Sequence, residues 1–151
     1  GGGFPVGAVM AKAEVGDAMV PGTHGSTFGG NPLAMRSANA VLELLLEKDF
    51  LDNLRKMIVY FDKKMDQLIK NDMHVTPIIF SKKGSGMLRG FQLNENVTAG
   101  DFGNIAREKG LLLVGAAENT IRLLPPLNTS KEEVDNAFDI LNDIVLELKK
   151  T

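Results

Sequence analysis

The sequence predicts an α/β chain that closes in a small α+β domain, a mostly antiparallel sheet with helices over one face. Three observations lead there. Helical segments with apolar stripes or clear caps recur near residues 33–47, 50–70, 98–109 and 131–149. Short β-rich runs, broken by Gly, Pro and Asn, lie between the last three of these helices. The final helix opens on the capping box Ser130-Lys131-Glu132-Glu133, a sequence-level mark of a helix start.

Taken in order, the apolar run Val6 to Ala11 reads as a buried strand that follows "GGGFP", and a short helical or turn segment follows around Glu14 to Met19. The glycine-rich stretch "GTHGSTFGGNP", residues 22–32, comes next. Asn31 as cap and Pro32 in the first turn then start a helix over Leu33 to Glu47, with Leu33, Ala34, Ala38, Val41, Leu42 and Leu45 on its apolar stripe. Asp49 is expected to cap a second helix over 50–70, striped by Leu54, Met57, Ile58, Phe61, Met65 and Leu68. Four strands are expected at Val75–Phe80, Met87–Leu93, Leu111–Val114 and Thr120–Leu124, with a helix at 98–109 capped by Thr98 and ended by Gly110. Val134, Ala137, Phe138, Leu141, Val145 and Leu148 stripe the last helix. Residues 1–48 thus end one αβ unit, 49–70 connect, and 71–151 form the small domain.

Composition bounds the function. With 151 residues, 44% hydrophobic and 24% charged, the chain is of ordinary globular composition. Seventeen basic against nineteen acidic residues leave a net charge of −2, too little for a field that recruits nucleic acid. No run of apolar residues is long enough to cross a bilayer, and no signal-peptide layout is present. Cysteine is absent and the two histidines, His24 and His74, are far apart in sequence, so no metal site is expected. The expectation is a cytoplasmic enzyme or part of one.

Four glycines, two threonines, a serine and a histidine in eleven residues demand a reason. Backbone N–H groups in such a loop, leading into a helix N-terminus, suit an anion, and Ser26 and Thr27 add neutral hydroxyl donors. A plain turn before a helix is the alternative. Neither GxxxxGK[ST] nor a strand-linked GxGxxG occurs, so ATP and dinucleotide readings fail. Arg122, between apolar neighbours in "TIRLLPPL", reads on its own residues as a surface arginine on the outward face of an edge strand. His24 is read as fixing the loop, His74 as solvated, Lys12 as surface, Arg89 as pairing on the sheet surface, and most of the seven methionines as core.

"GGGFPVGAVMAKAEV" and "PGTHGSTFGGNPLAMRSANAVLE" together resemble the class III aminotransferases, pyridoxal-phosphate enzymes of fold type I. Within that family the likeness is greatest to the acetylornithine aminotransferases, with ornithine aminotransferases next. It continues through "GMLRGFQL", "AREKGLLLVGA" and "TIRLLPPLNTSKEEVD", and so covers the chain. The resemblance implies that Thr27 donates to the phosphate of pyridoxal 5'-phosphate across a homodimer interface, and that Ser26 contacts the amino-acid substrate. Glycines 25, 29 and 30 would then allow the neighbouring subunit to approach. Arg122 would hold the substrate α-carboxylate. It further implies transfer of the amino group of N-acetylornithine to 2-oxoglutarate in arginine biosynthesis. The Schiff-base lysine would lie three residues upstream of Gly1, so the chain itself holds no catalytic residue, needs the N-terminal part of the same enzyme and should be inactive alone. A stand-alone binding or interaction domain of the same fold is the other reading.

Overall fold

A computed structural model describes residues 1–73 and 76–150. His74 and the start of the strand expected from Val75 lie outside the described residues. The chain divides into two units, Gly1–Leu51 and Asp52–Thr151.

The first unit holds α1 (Ala13–Gly16) and α2 (Pro32–Leu45). Asn31 caps α2 as its side chain predicts: extended, with Oδ1 accepting from Ala34 N–H at 2.9 Å, and with Pro32 following where a missing N–H is harmless. Residues 6–11 do not form the expected buried strand; Val9 and Met10 are 90% and 98% exposed. A strand exists through its ladder, and every strand of the sheet described here comes from residues 79–123. Asp49 is not the expected cap either. Its φ of 70° puts it in the left-handed region, whereas an N-cap residue is extended; a turn closed by Phe50 N–H to Glu47 O leads into α3 (Phe50–Asp72) instead.

The second unit is built on a four-stranded antiparallel sheet, β1 (Ile79–Ser85), β2 (Leu88–Leu93), β3 (Val114–Ala116) and β4 (Thr120–Leu123), in the order β1-β2-β4-β3. β1 runs four residues later than its apolar stretch suggests, because the polar Ser81, Lys82 and Lys83 complete an edge strand where charge is tolerated. A bulge between Ile79 and Ser81 turns Phe80 out to solvent. The hairpin to β2 closes through Gly86-Met87, and Gly86 at φ 59° supplies the positive φ of such tight turns. β3 likewise starts later than expected, since its register with β4 is set by a turn holding Glu118 and Asn119 at φ 57° and 50°. Asn119 fixes that turn: Nδ2 donates to Asn94 O and Val97 O, both at 2.8 Å, and Oδ1 accepts from Ala99 N–H.

Phe91, Leu93, Ile121 and Leu123 face the helices α3, α4 (Ala99–Glu108) and α5 (Lys131–Leu148). The helix stripes meet there as the periodicity predicts. Phe138 of α5 is the junction, edge-on to Phe61 of α3 at 5.3 Å and to Phe91 of β2 at 6.5 Å. Phe102 and Ala106 bring α4 into the same core. Thr98 caps α4, Gly110 follows its end at φ 86°, and Ser130 and Glu133 form the capping box of α5. Asp72, fully buried at the end of α3, accepts Ile79 N–H at 2.6 Å and meets Lys149 Nζ at 2.6 Å, so it ties α3, β1 and the residue after α5 together.

Candidate functional site

The glycine-rich loop is shaped by its own backbone. Thr23 turns back on Val20 through both N–H and Oγ1, a turn from Ser26 to Gly29 follows, and Asn31 Nδ2 donates to Phe28 O at 2.7 Å. Gly25 and Gly30 have φ of 107° and 74°, conformations that residues with a Cβ avoid. At Gly29 a Cβ would lie 2.9 Å from Ser26 Oγ. Two of these three glycines thus answer to backbone conformation within the chain, and the third to the seat of the Ser26 side chain.

This leaves donors unspent. Among the described residues the N–H groups of Ser26, Thr27 and Phe28 meet no backbone carbonyl, and the Ser26 and Thr27 hydroxyls, both exposed, have no hydrogen-bond partner. Neutral hydroxyls and free amides next to a capped helix start are chemistry for an anion. Ser26 also borders a cleft of about 630 Å³, lined by Phe28 and Asn31 together with Phe4, Pro5 and Val6; Thr27 is not in its wall. His24 is exposed and makes no hydrogen bond or ion pair among the described residues; the bonds that shape the loop come from Thr23 and Asn31.

Arg122 belongs to the other unit. It lies on β4, an inner strand rather than an edge, and is exposed while Ile121 and Leu123 beside it are buried. Its side chain therefore stands on the sheet face away from the helices. The other arginines are all engaged: Arg36 with Glu43, Arg55 with Asp52, Arg89 with Asp62, Arg107 with Asn104. Arg122 has no such partner among the described residues. Lys83, in the same cross-strand row, is held by Glu118, and that contact holds the Glu118 carboxyl below the usual carboxylate range. The open face thus presents one uncommitted guanidinium.

Arg89 departs from expectation. It faces the helices, where Asp62 of α3 and the carbonyls of Gly84 and Gly86 take its three nitrogens, so it locks the β1–β2 turn. Ser26 and Thr27 stand together in the first unit, and Arg122 stands in the second. No group of His, Asp or Glu able to hold a metal occurs among the described residues. No helix among them is long and apolar enough to cross a membrane.

Comparison with known proteins gives these features a context. The sequence pattern of the family Aminotransferase class-III matches residues 1–145. Acetylornithine aminotransferase 1 of Bradyrhizobium diazoefficiens is 42% identical over 137 residues, which are 91% of this chain and 33% of that protein. The solved acetylornithine aminotransferase of Elizabethkingia anophelis superposes with a TM-score of 0.75 at 31% identity, over 91% of this chain and 36% of that one. The ornithine aminotransferase of Toxoplasma gondii, solved with PLP partly occupying its active site, gives 0.77 at 28% identity, over 93% of this chain and 33% of that one. The chain spans about a third of the length of these relatives. The α/β fold class with its small antiparallel sheet is the fold they share. The chain belongs to the class III aminotransferases, a family of pyridoxal-phosphate-dependent enzymes.

Proposed function

We propose that the chain is the C-terminal portion of an acetylornithine-type aminotransferase, a cytoplasmic homodimer that transfers the amino group of N-acetylornithine to 2-oxoglutarate in arginine biosynthesis. The observation that carries the reading is the pattern of donors unspent among the described residues: two loop hydroxyls with free amides beside them, and one arginine of five without a partner. The reaction needs a phosphate held and a carboxylate held, and these are the groups left over to hold them.

The loop fits the cofactor's phosphate. Thr27 donates its hydroxyl to a phosphate oxygen, and the positive end of α2 adds to the attraction. Neutral donors do this without placing an amine that competes for the cofactor's aldehyde carbon. In this reading Thr27 serves the active site of the partner subunit. The exposed apolar side chains of the first unit, Met10 and Phe28 among them, are consistent with burial in such an assembly. Ser26 contacts the amino-acid substrate. Arg122 takes the α-carboxylate in its fork, two parallel N–H···O bonds that fix orientation as well as position. Bound pyridoxal phosphate supplies the electron sink for chemistry at the substrate Cα. The lysine that carries it lies, in this reading, upstream of Gly1.

The test compares two proteins: these 151 residues alone, and the same chain extended upstream to the length of its relatives. The extended protein should transaminate 2-oxoglutarate from N-acetylornithine in preference to ornithine or succinylornithine, while the short one is inactive. Activity in the short chain, or a preference for ornithine in the long one, would overturn the proposal.

A further inference from the structure

Gly90 is the one feature around Arg122 that neither the fold nor the proposed chemistry has used. It sits within β2, an inner strand, directly opposite Arg122 of β4, and the row Lys83, Gly90, Arg122, Val114 crosses the whole sheet. Glycine weakens a strand interior, and its usual licence is a positive φ or a close approach. Gly90 is not among the positive-φ glycines. The close approach is there instead: a Cβ at position 90 would lie 2.7 Å from Thr120 Cγ2 and 3.2 Å from Ile121 O. The methyl group of Thr120 occupies the space that Gly90 leaves.

Thr120 is unusual in its own right. It is buried at 7% exposure, one of two buried polar residues among those described, and its hydroxyl makes only a long bond of 3.3 Å to Glu118 O. Its methyl group lies against Gly90. Two residues along the same strand, and so on the same face, stands Arg122. Lys83, the other cation of the row, is drawn off to Glu118. Among the described residues Arg122 has no polar partner to fix its direction, which leaves that to the packing beside it.

We propose that Gly90 and the Thr120 methyl form a seat that positions Arg122 for the substrate carboxylate. The proposal rests on the reading of Arg122 given above. Gly90 and Thr120 touch no substrate themselves; they set the strand face from which the guanidinium extends. A Cβ at position 90 unseats Thr120, and loss of the Thr120 methyl empties the seat.

Thr120→Ser and Thr120→Val separate the methyl from the hydroxyl. In the chain extended upstream, Thr120→Ser should raise KM for the amino acid roughly fourfold, the worth of one packed methyl group if it is all passed to Arg122, with kcat kept. Thr120→Val keeps the methyl and should behave as wild type. Gly90→Ala should raise KM more than Thr120→Ser does, and adding Thr120→Ser to it should bring KM back down by relieving the contact. A second reading uses the 151 residues alone: the rate at which phenylglyoxal modifies Arg122, measured by peptide mass, should change in Thr120→Ser and not in Thr120→Val. Thr120→Ser with wild-type KM and wild-type labelling overturns the proposal, as does an equal rise in KM for the Ser and Val variants. Arg122→Ala with unchanged KM instead overturns the reading of Arg122 itself. If Gly90→Ala does not fold, the Ser and Val pair decides alone.

Discussion

Removing Lys149 should destabilise the second unit more than neutralising Asp72, although the two form one ion pair. Asp72 is fully buried and the Lys149 side chain is 19% exposed. Asp72 Oδ2 accepts Ile79 N–H, and Oδ1 faces the ammonium at 2.6 Å as an ion pair without the angle of a hydrogen bond; Lys149 Nζ donates instead to Asp72 O at 3.2 Å. Lys149→Met leaves a carboxylate in the interior with no cation, a loss of about 3–5 kcal/mol. Asp72→Asn keeps an acceptor for Ile79 N–H, and the freed ammonium is close enough to the surface to reach water. Its cost is that of a charged hydrogen bond, about 1.5–3 kcal/mol. Asp72→Ala also strands Ile79 N–H and should cost roughly 1–3 kcal/mol more than the Asn variant. The double variant Asp72→Asn/Lys149→Met should be more stable than Lys149→Met alone, because it removes the unpaired charge. Against a total stability of about 5–15 kcal/mol these differences are large. Urea unfolding of the 151 residues, followed by far-UV circular dichroism, reads all four. A Lys149→Met variant no less stable than Asp72→Asn would refute the reasoning, since the asymmetry of exposure would then decide nothing.

Thr27→Ala in the chain extended upstream should weaken pyridoxal-phosphate binding by about 1.5–3 kcal/mol, the range of a hydrogen bond to a charged group; a cofactor titration reads it. Arg122→Ala should leave that titration unchanged and raise KM for the amino acid, and the reverse pattern would exchange the two roles. The carboxyls of Glu133, held by Ser130 N–H, and of Asp135, held by Tyr60, lie below the usual range. Their stabilisation is present above their ordinary pKa and is lost as pH falls below about 4, so Glu133→Gln should flatten the acid limb of a stability profile. At the other end Tyr60, pushed up to about 12 by its bond to Asp135, contributes in full below its ordinary value and loses that contribution progressively as pH rises from there through about 12. With Val9, Met10, Phe28 and Leu46 all at least 80% exposed, the 151 residues should self-associate, and sedimentation as a clean monomer at micromolar concentration would count against the assembly proposed here.

Helices were legible in the sequence because their signals are local. Asn31, Thr98 and Ser130 cap the helices their spacing announces, and the stripes through Phe61, Phe102 and Phe138 reach one core. Strand limits were less legible because pairing sets them. β1 extends through Lys82 and Lys83 since β2 is there to bond it, and β3 begins at Val114 since Asn119 fixes the turn. Residues 6–11 read as a strand on apolar content alone and have no ladder. Asp49 fails as a cap on backbone conformation, which residue type does not reveal. At the candidate site, Ser26 and Thr27 were singled out by the loop's donor chemistry and Arg122 by the resemblance. Gly90 and Thr120 were not, and the available signal was a glycine inside an inner strand.

Arg89 and Arg122 differ in how the fold engages them. Each sits on an inner strand between apolar residues, in "MLRGF" and "TIRLL", and composition treats them alike. The register divides them. Arg89 pairs across the sheet with Leu123, a core residue, and so faces the helices, where burial obliges it to find Asp62. Arg122 is one position out of phase with Leu123 and faces the open side. There Glu118, beside the start of the same strand, is already taken by Lys83. The helix-facing guanidinium is spent on folding. The open-facing one has no partner among the described residues, which is what the proposed carboxylate-binding role requires.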